Sequence, residues 1–315
     1  MRLICAIIIS FNPDLNRLRE VLSAVSPQVD RVQIVDNGSS EVEGLVALVG
    51  LFQSCSLMTL SGNLGVGAAL NLGIYTALSA GYDTALLMDQ DSIPSPTMVG
   101  DLQHGLRWII SQGEHVAAIG PRFFDRHSGK LSRHVVFASW HIRRIDCRSD
   151  NQPLPVDFLI TSGSLVPLDA FAVIGGFNEE LFIDHVDTEW VLRARSKGYR
   201  VFGDCTAVME HDLGEYRRRI WLGRWREVPI HKPFRYYYTF RNSIWLRRRA
   251  YAPEDWRRAD AVRMVQLFVF MTIFHPHRLL VIKMMWRGLQ DGLRGRMGPS
   301  ADIRARGLTH EKTNS

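Results

Sequence analysis

Asp89 and Asp91 flank Gln90 at the end of the apolar run Thr84–Met88. Two carboxylates one residue apart at a strand end offer hard oxygen ligands, which suit Mg2+ or Mn2+ shared with a phosphate. The plainer reading of the same residues is a polar strand end with a capping Asp. A second acidic cluster, Asp184, His185, Asp187 and Glu189, falls within Phe182–Trp190. Asp187 fits the N-cap of a helix. A carboxylate held within hydrogen-bond reach of an alcohol can also act as its general base. Four titratable side chains together are more than a cap requires. His211, in the run Glu210–Gly214, is by type either a structural histidine or the imidazole that completes an Mn2+ site beside carboxylates. Asp36 ends an apolar run and opens the turn Asn37–Ser40. Alone it reads as an Asx-type turn, and a ligand's base or ribose is the alternative partner.

These residues need a frame that brings strand ends together. Strand patterns over residues 3–9, 32–36, 56–60 and 84–88 alternate with helical patterns over 14–25 and 67–80. This rhythm predicts an α/β fold with a mostly parallel sheet and helices on both faces. Ligands of such sheets sit at the carboxyl ends of the strands. Further strands are expected at 116–119, 158–160, 165–167 and 200–202, and a helix at 188–197. The glycine-rich segment Ser61–Asn71 leads into a helix and could present backbone N–H groups to phosphate. A dinucleotide fingerprint places its acid after the glycines. Here Asp36 comes before them, so the order is wrong for NAD.

The chain of 315 residues has a formal net charge of +6. Residues 217–315 hold 22 Lys and Arg against 7 Asp and Glu, so the positive charge is concentrated there. That asymmetry points to a polyanionic surface, either nucleic acid or an anionic membrane. From Tyr216 the chain is rich in Arg, Trp and Tyr and is expected to be helical, without strands. The runs Met264–Phe274 and Leu279–Trp286 are apolar, flanked by Lys and Arg, and shorter than the roughly 18 residues of a membrane span. Basic helices bearing Trp lie on anionic membranes; packing on the α/β part of the chain is the other use of such a pattern. Residues 3–9 read as a buried strand rather than a signal segment. Cys5, Cys55, Cys147 and Cys205 are far apart with no C-x-x-C, which argues against a zinc cluster or a disulfide framework and fits a reducing compartment.

Taken together, the motifs over about residues 3–245 resemble the inverting family 2 glycosyltransferases with the GT-A fold. Ser10-Phe11-Asn12, Val35–Ser39, Asn63-Leu64-Gly65 with Asn71, and Asp89-Gln90-Asp91 follow that family's order and spacing. Gly175–Phe177 followed by Asp187 is similar to its acceptor-side motif, with Val186 where the first of two acids is common. His211 with Gly214 resembles its late metal-binding motif, and Tyr236–Asn242 resembles a segment of the rhamnosyltransferase branch.

The resemblance implies a metal-dependent hexosyltransferase, with dTDP-β-L-rhamnose as the expected donor. Donor contacts would come from Ser10, Phe11, Asn12, Asp36, Asn63, Gly65, Asn71 and Asp89. Asp91 and His211 would hold Mg2+ or Mn2+, and Asp187 would be the base. Gly163, Ser164, Asp184, Glu189 and Trp190 would face the acceptor, a saccharide on a polyprenyl-diphosphate lipid used in cell-surface polysaccharide (O-antigen) synthesis. The implied organisation is a GT-A catalytic domain over residues 1–225, a basic amphipathic helical region over 226–297 and a disordered tail over 298–315. The implied location is cytoplasmic, peripheral on the inner face of the cell membrane. Another donor such as UDP-galactofuranose or a UDP-hexose would use the same fold. A nucleic-acid-binding protein would use the basic aromatic tail but leave both acidic clusters idle. A nucleotidyltransferase would need a basic phosphate loop, and residues 61–71 contain no Lys or Arg.

Overall fold

A computed structural model describes residues 3–125, 129–210, 216–221 and 225–300. The chain forms two compact units, one drawn from Met1–Val136, Arg143–Glu179 and Val186–His211, the other from Phe137–Ile142, Glu180–His185 and Asp212–Ser315. The sequence placed the boundary at 225/226. By its contacts the second unit takes in Asp212–Ser315 together with two short inserts from earlier in the chain.

Along residues 4–210 the order is β1 (Ile4–Ser10), α1 (Leu15–Val25), β2 (Arg31–Asp36), α2 (Glu43–Val49), β3 (Cys55–Thr59), α3 (Val66–Ser79), β4 (Thr84–Asp89), β5 (Ile93–Pro94), α4 (Met98–Ser111) and β6 (Val116–Asp125). Then come β7 (Lys130–Leu131), β8 (His134–Ala138), β9 (His141–Ile145), β10 (Leu154–Val156), β11 (Leu165–Pro167), α5 (Leu168–Ile174), α6 (Val186–Ser196) and β12 (Arg200–Glu210). The main sheet runs β10-β12-β6-β11-β4-β1-β2-β3. β3, β2, β1 and β4 are mutually parallel, and β11 enters antiparallel against β4. β1 is Ile4-Cys-Ala-Ile-Ile-Ile-Ser10 and buried along almost its whole length, as a strand covered on both faces should be. Leu18, Val21 and Leu22 of α1, Ile34 of β2 and Met98 and Leu102 of α4 join Ile4, Ala6 and Ile8 in the core. Asp14 caps α1, its Oδ1 accepting from the amides of Asn16 (2.9 Å) and Arg17 (3.1 Å).

The expected alternation of strands and helices holds through β4. Phe158 makes only an isolated bridge, to Val135, and is not part of a strand. Cys147 and Cys205, read as unrelated, are joined in a disulfide across 58 residues with Cα atoms 5.7 Å apart. Sequence distance hid this pairing, because strand β12 and the segment after β9 are brought together only by the fold.

The second unit contains the antiparallel pair β13 (Tyr216–Trp221) and β14 (Trp225–Ile230), followed by α7 (Pro233–Arg247), α8 (Glu254–Phe274) and α9 (Arg278–Arg294). The strands correct the all-helical expectation for this region. Tyr216, Ile220, Trp221, Trp225, Val228 and Ile230 are residues of high strand propensity and outweigh the arginines among them. Tyr236, Phe240, Met264, Met271, Val281 and Met285 form a core among the three helices. Gly288 and Gly292 let α9 lie close on α7, since a Cβ at each would sit 2.3 Å from the Tyr237 carbonyl oxygen and 2.6 Å from that of Arg241. Residues 298–300, expected to be disordered, are docked: the Gly298 carbonyl accepts from Arg241 Nη1, and Ser300 N lies 3.1 Å from Tyr238 Oη.

Candidate active site

The carboxyl ends of three neighbouring strands bring the first group of expected residues together. Ile9 pairs with Asp89 and Ser10 with Asp36, so the ends of β4, β1 and β2 lie in one row. Gln90 ties this row down. Its Oε1 accepts from Phe11 N at 2.8 Å, and its Nε2 donates to Phe11 O at 3.4 Å. Arg17 Nε, one turn into α1, donates to the Asp91 carbonyl at 2.9 Å. Asp89 is half-buried, its amide donating to Ser162 Oγ at 3.1 Å, while Asp91 is exposed. Gln90, Arg17 and Ser162 were not singled out in the sequence. Only the position of Gln90 between the two acids could have drawn attention to it.

Asp36 is fully buried. Its carboxylate accepts from Ser10 Oγ (3.0 Å), from the Ser39 amide (2.9 Å) and from Ser39 Oγ. The turn reading of this residue is thus realised in the structure. Asn12, with φ +46°, continues the same rim: its amide donates to Ser39 Oγ and its Oδ1 accepts from Ser40 N at 2.9 Å. Asn63 belongs to an adjoining lock. Asn37 Oδ1 accepts from Leu64 N (2.8 Å), and Asn63 Oδ1 accepts from Gly65 N (2.9 Å) and Asn37 Nδ2 (3.2 Å). Gly65, at φ +92°, then starts α3 without a side-chain cap, leaving the first amides of a 14-residue helix for another acceptor. Asn71 does other work than the expected donor contact. It is 5% exposed, its Nδ2 donating to Phe177 O (2.9 Å) and Glu179 Oε1 (2.8 Å) and its Oδ1 accepting from Phe177 N (2.7 Å). It pins the Gly175–Asn178 turn.

On the other side of β4, the Gly163 amide donates to Leu87 O (2.7 Å) and the Leu87 amide to Ser164 O (2.9 Å). Ser164 Oγ is spent on Ile160 O at 2.7 Å. Leu87, Thr161, Ser164, Phe177, Asp187 and Trp190 line a small cleft beside this segment. Asp187 is half-buried, its Oδ1 accepting from Thr188 N at 2.7 Å. It is the second residue of α6 rather than the N-cap, so its charge meets the positive end of the helix dipole from within the first turn.

Two residues expected on the acceptor side are buried with partners inside the protein. Glu189 is 1% exposed and held bidentately by Arg193, with Nε–Oε1 at 2.8 Å and Nη2–Oε2 at 3.0 Å. Arg193 also donates to the carbonyls of Ile174 and Gly176. Trp190 is 2% exposed, donates Nε1–H to Gly175 O at 2.9 Å and packs against Phe171 and Phe177. Both side chains are consumed in building the Gly175–Phe177 turn. The i,i+4 spacing of Glu189 and Arg193 was the available signal for this pairing.

Asp184 belongs to the second unit, at φ +61°. Burial works to raise its pKa, but Arg235, bonded to its carboxylate, holds it below the usual carboxylate value. The residues expected as a branch motif surround the turn that carries it. Arg241, fully buried against the Tyr238 ring, donates Nη2 hydrogens to Glu180 O and Leu181 O at 3.0 Å each. Asn242 Nδ2 lies 3.0 Å from Leu181 O and 2.8 Å from both Ile183 O and Asp184 O. Phe182 and His185 are also left-handed, at φ +65° and +62°, so the backbone of this turn is strained and held by these side chains. His211 lies outside the described residues. Asp89 is half-buried and Asp91 exposed at the end of β4, and carboxylate oxygens are the donor type that Mg2+ and Mn2+ take.

Residues 5–172 match a family model described as Glycosyl transferase family 2. A dTDP-rhamnosyl transferase RfbF of Shigella flexneri is 30% identical over 251 residues, covering 79% of this chain and 81% of that protein. The crystal structure of S. aureus TarS 1-349 in complex with UDP-GlcNAc is similar with a TM-score of 0.58 at 13% identity, over 96% of this chain and 83% of that one. The crystal structure of GalNAc-T7 with UDP, GalNAc and Mn2+ gives 0.57 at 12% identity, over 88% of this chain and 58% of that one. At such identities the two structures speak for the fold, which is the GT-A type expected from the sequence.

Proposed function

The chain belongs to glycosyl transferase family 2, and from that premise we propose that it transfers L-rhamnose from dTDP-β-L-rhamnose to a hydroxyl of a lipid-linked saccharide, with inversion to the α-L-rhamnoside. The observation that carries the reading is the alignment of Ser10, Asp36 and Asp89 at the ends of three adjacent strands, with Asp187 in a cleft along the same β4. In this reading the strand ends serve the nucleotide and the cleft serves the attacking alcohol. The identity to the dTDP-rhamnosyl transferase supports the donor.

In this mechanism Ser10, Phe11, Asn12 and Asp36 form the nucleoside rim, and the uncapped start of α3 beyond Asn63 and Gly65 faces phosphate oxygens. Asp91 and His211 would hold Mg2+ or Mn2+, and Asp89 would serve the ribose or a water beside the cation. The cation, when bound, neutralises charge on the departing diphosphate. Asp187 takes the proton of the acceptor hydroxyl as that oxygen attacks the anomeric carbon. Gly163 and Ser164 form the wall beside it.

No helix among the described residues is long and apolar enough to cross a membrane. Val265, Phe268, Val269 and Ile273 nevertheless expose one apolar face of α8, and Leu279 and Trp286 are 79% and 61% exposed on α9 beside the exposed cation Lys283. Such a surface supports peripheral binding to an anionic bilayer, where a lipid-linked acceptor would reside. Co-sedimentation with phosphatidylglycerol vesicles at low salt tests this; a protein that stays in the supernatant refutes it.

The central test is nucleotide release from dTDP-rhamnose, UDP-sugars and GDP-sugars with Mn2+, for the wild type and Asp187→Asn. Release from dTDP-rhamnose alone, lost in the variant while dTDP binding persists, is expected. Preference for a UDP-sugar removes the donor assignment, and near-normal turnover by Asp187→Asn removes the base.

A further inference from the structure

His134, Cys147 and Cys205 form a cluster remote in role from sugar transfer. Both sulfurs and one ring nitrogen of His134 lie within 4.8 Å of one another. The surroundings look built for that meeting. The β12 register against β6 breaks between Gly203 and Val208. The buried Asp204 carboxylate closes the bulge, its Oδ1 accepting from Thr206 N, Thr206 Oγ1 and Ala207 N at 2.8 Å each. A bulge of this kind re-aims the side chains it contains, and here it carries Cys205. His134 is 6% exposed, with Nε2 3.0 Å from the Asp204 carbonyl oxygen. A carbonyl only accepts, so Nε2 carries the hydrogen and Nδ1 keeps its lone pair. Gly203 leaves room for the ring, since a Cβ there would lie 2.2 Å from Nδ1.

We infer that Cys147, Cys205 and His134 form a binding site for a thiophilic divalent cation, Zn2+. A disulfide needs neither an imidazole of fixed tautomer nor a glycine cut to its ring. Two thiolates and a neutral imidazole are a zinc ligand set, with Zn–S about 2.3 Å and Zn–N about 2.0–2.1 Å. Metal-bound histidines typically give their other ring N–H to a carbonyl or carboxylate, as His134 does to Asp204. The sulfurs are oxidised in the structure. A dithiol reductant supplies two electrons and two protons to the disulfide and becomes a disulfide itself. Zn2+ then displaces the two thiol protons as it binds, and water takes the fourth position. Bound zinc ties the segment after β9 to β12, as the disulfide does when oxidised.

The test uses the full chain, reduced with a dithiol, freed of it under anaerobic conditions and titrated with Co2+ and then Zn2+. One equivalent of Co2+ is expected to give near-ultraviolet thiolate-to-cobalt absorption and tetrahedral visible bands. Zn2+ should bleach both, and excess Mg2+ should not. Cys147→Ser and Cys205→Ser should each lose the thiolate band, His134→Gln should weaken binding at least tenfold, and Cys5→Ser/Cys55→Ser should retain it. The wild-type measurement stands even where a variant misfolds. Reduced wild type with all its thiols free but no thiolate–cobalt absorption overturns the site, as does absorption that survives in Cys147→Ser/Cys205→Ser.

Discussion

Asn242→Leu isolates the contribution of one buried amide to the approach of Asp187. Asn242 is fully buried; its Nδ2 serves the carbonyls of Leu181, Ile183 and Asp184, and its Oδ1 accepts from Arg241 Nε at 2.9 Å. Leucine has similar size and none of these bonds. Losing two donor hydrogens and one acceptor at about 1 kcal/mol each, with buried partners left unsatisfied, gives a cost of about 2–4 kcal/mol. The turn has little reserve, because Phe182, Asp184 and His185 are left-handed, at about 1–3 kcal/mol each. At about 2–4 °C per kcal/mol, the melting temperature should fall by about 5–15 °C. The turn ends at His185, two residues before Asp187, so its relaxation shifts the start of α6. A displacement of about 1 Å can cost on the order of 100-fold in rate. Initial rates of nucleotide release, measured well below the variant's melting temperature, should therefore show kcat reduced at least tenfold while the donor KM changes little. A melting temperature equal to that of the wild type would refute the hydrogen-bond accounting. A lowered melting temperature with unchanged kcat would refute the positioning role.

Glu189→Gln leaves the half-buried Arg193 beside a neutral partner that still offers one oxygen, and urea unfolding should report a loss of about 1–3 kcal/mol; no measurable loss would return Glu189 to the acceptor contacts. Gly38→Ala places a Cβ 2.5 Å from Gly62 Cα at φ +84°, so the Asn37–Asn63 lock should open, raising the donor KM with little effect on kcat; an unchanged KM contradicts this. Burial, aided by Arg263 and opposed by Asp260, lowers the His185 pKa to about 4. The unfolded ring binds a proton near pH 6.5 that the folded ring refuses, so stability is full above about pH 6.5 and declines as pH falls towards about 4. His185→Gln should flatten stability over that window, and parallel wild-type and variant curves would show that the ring does not carry the effect.

How much of the site could be read in the sequence depended on the distance between interacting residues. The strand ends carrying Asp36, Asp89 and Asp91 were legible because a buried parallel strand is a continuous apolar run that stops where polar chemistry begins. The strands β13 and β14 were missed because the consecutive Arg217–Arg219 leave no alternation of apolar and polar residues to read. The partner of Glu189 was not legible, because residue type alone cannot tell a carboxylate that faces a ligand from one that faces Arg193.

The sequence by itself determined the alternating α/β frame, the acidic strand end and the candidate base, since each rests on local periodicity and neighbours in the chain. Only the tertiary structure decided that Asn71 serves the Gly175–Asn178 turn, that Arg241 and Asn242 hold the turn before Asp187, and that Cys147 and Cys205 meet beside His134. Those partners lie about 60 to 106 residues apart in sequence. No local pattern encodes their contact; it exists because burial forces each polar group to find a partner on whatever element the fold brings beside it.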